Sequence, residues 1–230
     1  MARMLIGSEI VEQTVNRVVV GIFVDAEKYN LDNLVLRMFN IIKNMLDFLA
    51  ASLEDGDVER LREVEELEYE LDRVYALAVR HTFVLNRLGG SPYLVEYRTF
   101  IKSLEDIGDS IAQLAKELAS DKSILDLVRG VFSDRLKELK ELLFYVYDLT
   151  YSALTSLDIF TASKATDLSQ ELGKYLSKIE AEVLASGGRS ATEYAKLKLI
   201  FNRLTSISIY LSDAAETVLD IVVKIGRAHV

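Results

Sequence analysis

The sequence predicts an all-α protein of two tandem three-helix bundles, preceded by a short β-hairpin-like segment, and three observations predict it. One proline in 230 residues is what long helices demand, since proline removes an amide donor and clashes with the preceding turn. Apolar residues recur at alternating spacings of three and four over long stretches, the mark of a helix that buries one face. Capping residues and glycine pairs punctuate these stretches at the intervals expected of helix ends.

Residues 1–29 form a segment of different character. Glu9-Ile10-Val11-Glu12-Gln13 and the run from Arg17 to Val24 are short and rich in β-branched residues, with Asn16 between them, which predicts a small hairpin, an apolar linker being the alternative. Asn30 is a good N-cap, because its side-chain oxygen can accept a free amide of the first turn. A first helix is expected from Leu31 to Leu53, stopping at Asp55-Gly56. Asp57 caps a second, reaching Leu88. Gly89-Gly90-Ser91-Pro92 supplies a stop, a cap and a proline at the first helical position, so a third helix should run from Pro92 to Ala119.

Asp121 to Phe132 reads as a joint with room for a short helix of its own. A fourth long helix is expected after Ser133 and ends near Leu157, and a fifth runs from Phe160 to Ala185. Gly187-Gly188 breaks it, and Ser190-Ala191-Thr192-Glu193 is a capping box that opens a sixth, reaching Val223. Nothing after Gly226 has helical logic, so 226–230 reads as a disordered tail or a cloning remnant.

Short connections make consecutive helices antiparallel neighbours. Tyr97, Phe100, Leu104, Ile107, Ile111, Leu114 and Leu118 form one seam, and Leu197, Ile200, Leu204, Ile207, Leu211, Ala214, Val218 and Ile221 form another. Sliding the third helix by 104 residues lays Leu104-Glu105-Asp106-Ile107-Gly108-Asp109 on Ser208-Ile209-Tyr210-Leu211-Ser212-Asp213. Two copies of a three-helix unit, 30–121 and 122–225, follow from that repeat.

Composition narrows the function. Half of the residues are hydrophobic and 27% are charged, a globular balance. No run approaches the roughly 18 to 20 uncharged apolar residues of a membrane span, and Met1 to Ile6 lacks the features of a signal peptide, so a cytoplasmic location without membrane insertion is expected. A net charge of −9 argues against direct nucleic-acid binding, which runs on Lys and Arg. The absence of cysteine removes disulfides, thiolate metal sites and thiol nucleophiles. Phosphate loops, nucleophile elbows and His-Glu-x-x-His are also absent, so no enzyme is expected. His81 reads as a helix-surface or packing residue, and neither it nor His229 has the glutamate three residues earlier that carboxylate-bridged di-iron bundles use.

Among the carboxylates that stand four residues apart are Glu68 with Asp72 and Glu105 with Asp109. Such pairs share a helix face and repel unless water or a cation screens them. If the second and third helices are neighbours, all four acids can converge on one cation, and hard oxygen donors suit Mg, Ca, Mn or iron. The alternative is a solvated acidic face, of which Glu65, Glu66 and Glu70 have the look.

The stretch from Tyr97 to Ala112, with Leu104-Glu105-Asp106-Ile107-Gly108-Asp109 at its centre, resembles the signature of the PhoU family, an arginine and apolar positions followed by Leu-Glu-Arg-Ile-Gly-Asp. Val64 to Asp72 is similar to the family's other acidic motif, a Glu-x-x-x-Asp. The resemblance implies a pair of three-helix bundles related by a pseudo-twofold axis, with Glu68, Asp72, Glu105 and Asp109 as metal ligands. It implies a divalent or trivalent ion (Mg, Ca, Mn, Fe, Zn or Ni) and a role as negative regulator of phosphate uptake. The implied partners are the phosphate ABC transporter or a signalling protein, and a homodimer is an allowed assembly. The second half departs from the pattern: Asp213 keeps the terminal acid, Ile209 replaces the first carboxylate, and Asp167 and Glu171 form a reversed motif, which leaves Asp213, Asp167 and Glu171 as a weaker second set. The β-like segment ahead of the first bundle is similar to archaeal proteins that join an AbrB-type DNA-binding domain to PhoU repeats. A metal-modulated interaction module is thus the leading expectation. A helical scaffold with no metal site and the regulatory part of a transcriptional regulator are the alternatives.

Overall fold

Helix α1 (Leu31–Asp55) begins at the expected cap, where Asn30 Oδ1 accepts the Asp32 amide at 2.8 Å, and ends at Gly56, whose φ of 82° is the left-handed conformation that closes a helix. A computed structural model describes residues 8–14, 17–22, 30–90 and 93–228. The expected roles of Asn16, Ser91 and Pro92, and His229 itself, lie outside the described residues.

Strands β1 (Ser8–Gln13) and β2 (Val18–Ile22) pair antiparallel, Ser8 opposite Ile22 and Gln13 opposite Val18, with an irregularity between Ile10 and Glu12. This is the hairpin the β-branched runs predict. Helix α2 (Glu59–Arg87) follows Asp57, whose Oδ1 accepts the Glu59 amide at 3.0 Å, and α3 (Leu94–Ser120) follows the glycine pair. The joint is a helix, α4 (Lys122–Phe132), capped by Asp121. Helix α5 (Leu136–Ser156) starts three residues beyond Ser133, and α6 (Ile159–Ala185) is capped by Asp158. Helix α7 (Ala191–Ala228) opens on the capping box, with Ser190 Oγ accepting the Glu193 amide at 3.2 Å and Glu193 Oε2 accepting the Ser190 amide at 2.8 Å. It runs through Gly226 to Ala228, further than the expected end at Val223, because one glycine weakens a long helix without stopping it.

Helices α1, α2 and α3 pack on one another, as do α5, α6 and α7. The most extensive contact in the molecule joins the two sets, α3 against α7, with α1 against α5 beside it. Contacts between corresponding helices are what a duplicated unit makes when its halves meet face to face. Both predicted seams are core: Phe100, Leu104, Ile107 and Ile111 are buried in α3, and Leu197, Ile200, Ala214 and Val218 in α7.

Part of the seam between the bundles is aromatic. The Phe39 ring lies 5.8 Å from that of Phe100 and 4.8 Å from that of Tyr147, and the Tyr147 hydroxyl donates to the Phe39 carbonyl at 2.9 Å. Burial pushes the phenol of Tyr147 well above its ordinary range. At the far end of α1, Arg129 of α4 donates to the Leu53 and Glu54 carbonyls at 3.1 and 3.0 Å, a cation on the carbonyls a helix C-terminus leaves free. Among the described residues no helix is long and apolar enough to cross a membrane.

Candidate metal centre

The acidic residues owe their positions to the edge of the buried stripes. On α2, Val64, Leu71 and Val74 are buried, and Glu68 and Asp72 lie beside them, half-buried. On α3, Leu104, Ile107 and Ile111 are buried, with Glu105, Asp106 and Asp109 half-buried alongside. Gly108 is buried against Leu71, and a Cβ at 108 would overlap Leu71 Cδ2. The missing side chain lets α2 and α3 close on each other at this level, and the next residue on each helix is an acid, Asp72 and Asp109.

Oxygens of Glu68, Asp72 and Asp109 all lie within 4.8 Å of one another. So do oxygens of Glu105, Asp106 and Asp109. Asp109 belongs to both groups and links them. The four acids read from sequence are thus brought into one cluster, and a fifth, Asp106, joins it. Its i,i+3 spacing to Asp109 was the available signal.

Burial raises the Glu68 carboxyl above its ordinary value, and the charges of Asp72, Asp109, Glu65 and Glu105 add to the effect. Asp72 is raised by burial and then by Glu105. Asp109 is pushed up to about 6, first by burial, then by Glu105 and Asp72, with Lys102 opposing. Like charges held together in a half-buried place are costly, and a proton or a metal cation relieves them.

One cation is already attached. The Lys102 ammonium donates to Glu105 Oε2 and, at 2.5 Å, to Asp106 Oδ1. Burial pulls its pKa down, but these two hydrogen bonds and the charges behind them outweigh that and raise it.

The donor set fits a hard cation. Two oxygens each about 2.0–2.6 Å from a common ion lie at most about 5 Å apart, which the two groups satisfy. With no nitrogen or sulfur donor in either group, the chemistry favours Mg, Ca, Mn or iron over Zn or Ni. A cleft of about 580 Å³ between α2 and α3, lined by Glu68, Asp109, Gln113 and Lys116 among others, gives access from solvent.

The second-bundle set is not brought together. Asp167 and Glu171 are exposed on α6, Glu171 pairing with Lys174 at 2.7 Å, and neither belongs to a close group of acids. Asp213 instead faces the groove between α3 and α7, where burial and then Asp106 raise its carboxyl. The reason is register. Ser169 Oγ donates to Ser212 Oγ at 3.1 Å, so Ser169 meets Ser212 where Leu71 meets Gly108 in the first bundle. Counting from that contact, Thr166 and Gln170 hold the places of Glu68 and Asp72, and Asp167 is turned about 100° away. Ile209, at the place of Glu105, is exposed. His81, expected at the helix surface or in packing, is buried in α2.

The PhoU domain family model matches residues 35–118, a stretch that contains all five clustered acids. The crystal structure of PhoU from Pseudomonas aeruginosa is similar to most of the chain, with a TM-score of 0.67 and 14% identity over 84% of this chain and 95% of that one. No curated protein matches the sequence. Residues 35–118, within α1 to α3, are thus similar to a PhoU domain, and the chain shares the fold of the Pseudomonas aeruginosa structure.

Proposed function

We propose that this protein is a non-enzymatic regulator of phosphate uptake and phosphate signalling, an interaction module whose surface is tuned by a divalent cation. The observation that carries the reading is the convergence of Glu68, Asp72 and Asp109 within ligand spacing, inside the stretch that matches the PhoU domain. An ion bound there would tie α2 to α3, and because α3 also makes the main contact with α7, it would stiffen the seam between bundles. The partner is a component of a phosphate ABC transporter or its signalling apparatus, met in the cytoplasm, and a homodimer is a compatible assembly.

Two measurements test this. Protein purified without chelator should carry a divalent ion by mass spectrometry of the metal content, and should melt at a higher temperature with Mn²⁺ than with EDTA. A chain that holds no ion and ignores added metal is a plain helical scaffold. Co-purification with the nucleotide-binding subunit of the source organism's phosphate transporter, strengthened or weakened by Mn²⁺, tests the regulatory role; indifference to both subunit and metal would overturn it.

A further inference from the structure

The start of α1, the end of α2 and the start of α3 enclose a cleft of about 730 Å³, a size that suits a small organic ligand. His81 forms part of its wall from α2. The residue is only 4% exposed, and its Nδ1 is buried with no hydrogen-bond partner among the described residues. A buried polar atom left unpaired is costly, and folded proteins rarely leave one so. The imidazole borders the cleft, so a molecule held there can supply the missing partner. Glu68 is thirteen residues back along α2, about 20 Å at the helical rise, so this cleft is separate from the acidic cluster.

The lining selects the charge and shape of that molecule. Asp32, exposed on α1, stands in the wall, and no Lys or Arg does so among the described residues. The phenol of Tyr97 is pushed up to about 12, first by burial and then by the charge of Asp32 beside it. The rings of Tyr93 and Tyr97 lie 5.9 Å apart. Asp32 and these two tyrosines also border an adjoining cleft that Tyr151 lines, so three aromatic rings surround the approach to one acid. A carboxylate beside aromatic faces attracts an organic cation. Phosphate would meet the same carboxylate with no basic side chain to offset it. Leu31, Leu85 and Leu88 supply apolar wall for an uncharged body.

We propose that this cleft binds a small amphiphilic amine. Its ammonium sits at Asp32 against the tyrosine rings, its apolar body lies along the leucines, and a hydroxyl or amide at its other end pairs with His81. Such a ligand touches all three helices of the first bundle, since Asp32 comes from α1, His81 from α2 and Tyr97 from α3. The site needs no metal ion.

The test is calorimetric titration of the full chain with four probes. These are tyramine, phenethylamine (which lacks its hydroxyl), 4-ethylphenol (which lacks its amine) and inorganic phosphate. Tyramine should bind. Phenethylamine and 4-ethylphenol should each bind roughly tenfold more weakly, because each leaves one polar group of the cleft unpaired. Phosphate should neither bind there nor displace tyramine. Asp32→Asn should erase the preference for tyramine over 4-ethylphenol, and His81→Phe the preference over phenethylamine, each leaving the other preference in place. His81→Gln keeps a hydrogen-bonding group and should retain the second preference in part, which serves as the readout should the phenylalanine protein melt below wild type. Three results each overturn the inference: no heat from millimolar tyramine, preferences that survive both substitutions, or phosphate displacing tyramine. None of them bears on the metal reading.

Discussion

Gly108 of α3 packs so tightly on Leu71 of α2 that a methyl group at position 108 would occupy the space of Leu71 Cδ2. Leu71 is itself buried in the core. Gly108→Ala would gain about 1 kcal/mol of helix propensity, set against roughly 1–3 kcal/mol for overpacking a filled core. The expected result is a net loss of about 1 kcal/mol in urea unfolding, from the same opposing terms. Gly108→Val should be worse, since it adds volume and a branched β-carbon. Both should weaken Mn²⁺ binding, because the acid pairs are parted by the same displacement. A Gly108→Ala protein with unchanged metal affinity would show that helix separation does not set the site.

Asp109 is the acid shared by both groups, and in the metal-free protein its charge is a liability. Asp109→Asn should stabilise the metal-free chain at neutral pH by about 1 kcal/mol, a shift of about two pKa units discounted for partial exposure. The same change should abolish the rise in melting temperature with Mn²⁺. A variant that is less stable than wild type in EDTA would contradict the repulsion described here.

The pH dependence has a definite sign. Asp109, Glu68 and Asp72 all have raised pKa values, so the folded chain binds their protons more tightly than the unfolded chain does. Their contribution is fully present below the ordinary carboxylate values and is lost as pH rises through the folded values, about 6 for Asp109. Without divalent ions the melting temperature should therefore increase from about pH 7.5 to about pH 5. Asp121, lowered to about 2 chiefly by its hydrogen bond from Lys196, works the other way, losing its contribution only as pH falls through the folded value. With Mn²⁺ present the trend between neutrality and about pH 5 should flatten or reverse, as protons compete with the ion for the same oxygens.

Tyr147 joins the bundles through a buried hydrogen bond to the Phe39 carbonyl and through its ring. Tyr147→Phe should cost about 0.5–1.5 kcal/mol, the net worth of one hydrogen bond. Truncation to alanine should cost about 3–5 kcal/mol. Equal effects from the two changes would place the energy in the hydroxyl and not in the aromatic seam.

The register of α6 on α7 also predicts how the second bundle could be given a site. Thr166→Glu, Gln170→Asp and Ile209→Glu together would put acids at the places that Glu68, Asp72 and Glu105 hold in the first bundle. The triple variant should bind one more Mn²⁺ per chain than wild type, by calorimetry. Ile209→Glu alone, which leaves the native Asp167 and Glu171 as the acids of α6, should add none.

Local signals fixed the helices because caps and breaks act over a few residues: Asn30, Gly56, Asp57 and the Ser190–Glu193 box each sit where the chain turns. The stripes from Phe100 to Leu118 and from Leu197 to Ile221 were legible for the same reason, since helical periodicity is a property of the chain itself. The pairing of Glu68 with Asp72 and of Glu105 with Asp109 could likewise be read along one helix at a time. What tertiary structure alone decided is how the helices meet. The overlap of Gly108 and Leu71 sets the separation of α2 and α3, Lys102 is drawn onto Glu105 and Asp106, and Ser169 against Ser212 turns Asp167 outward. Spacing along a helix says which residues share a face; the depth and rotation at which two faces interlock depend on the side chains of both, and those contacts join residues far apart in the chain.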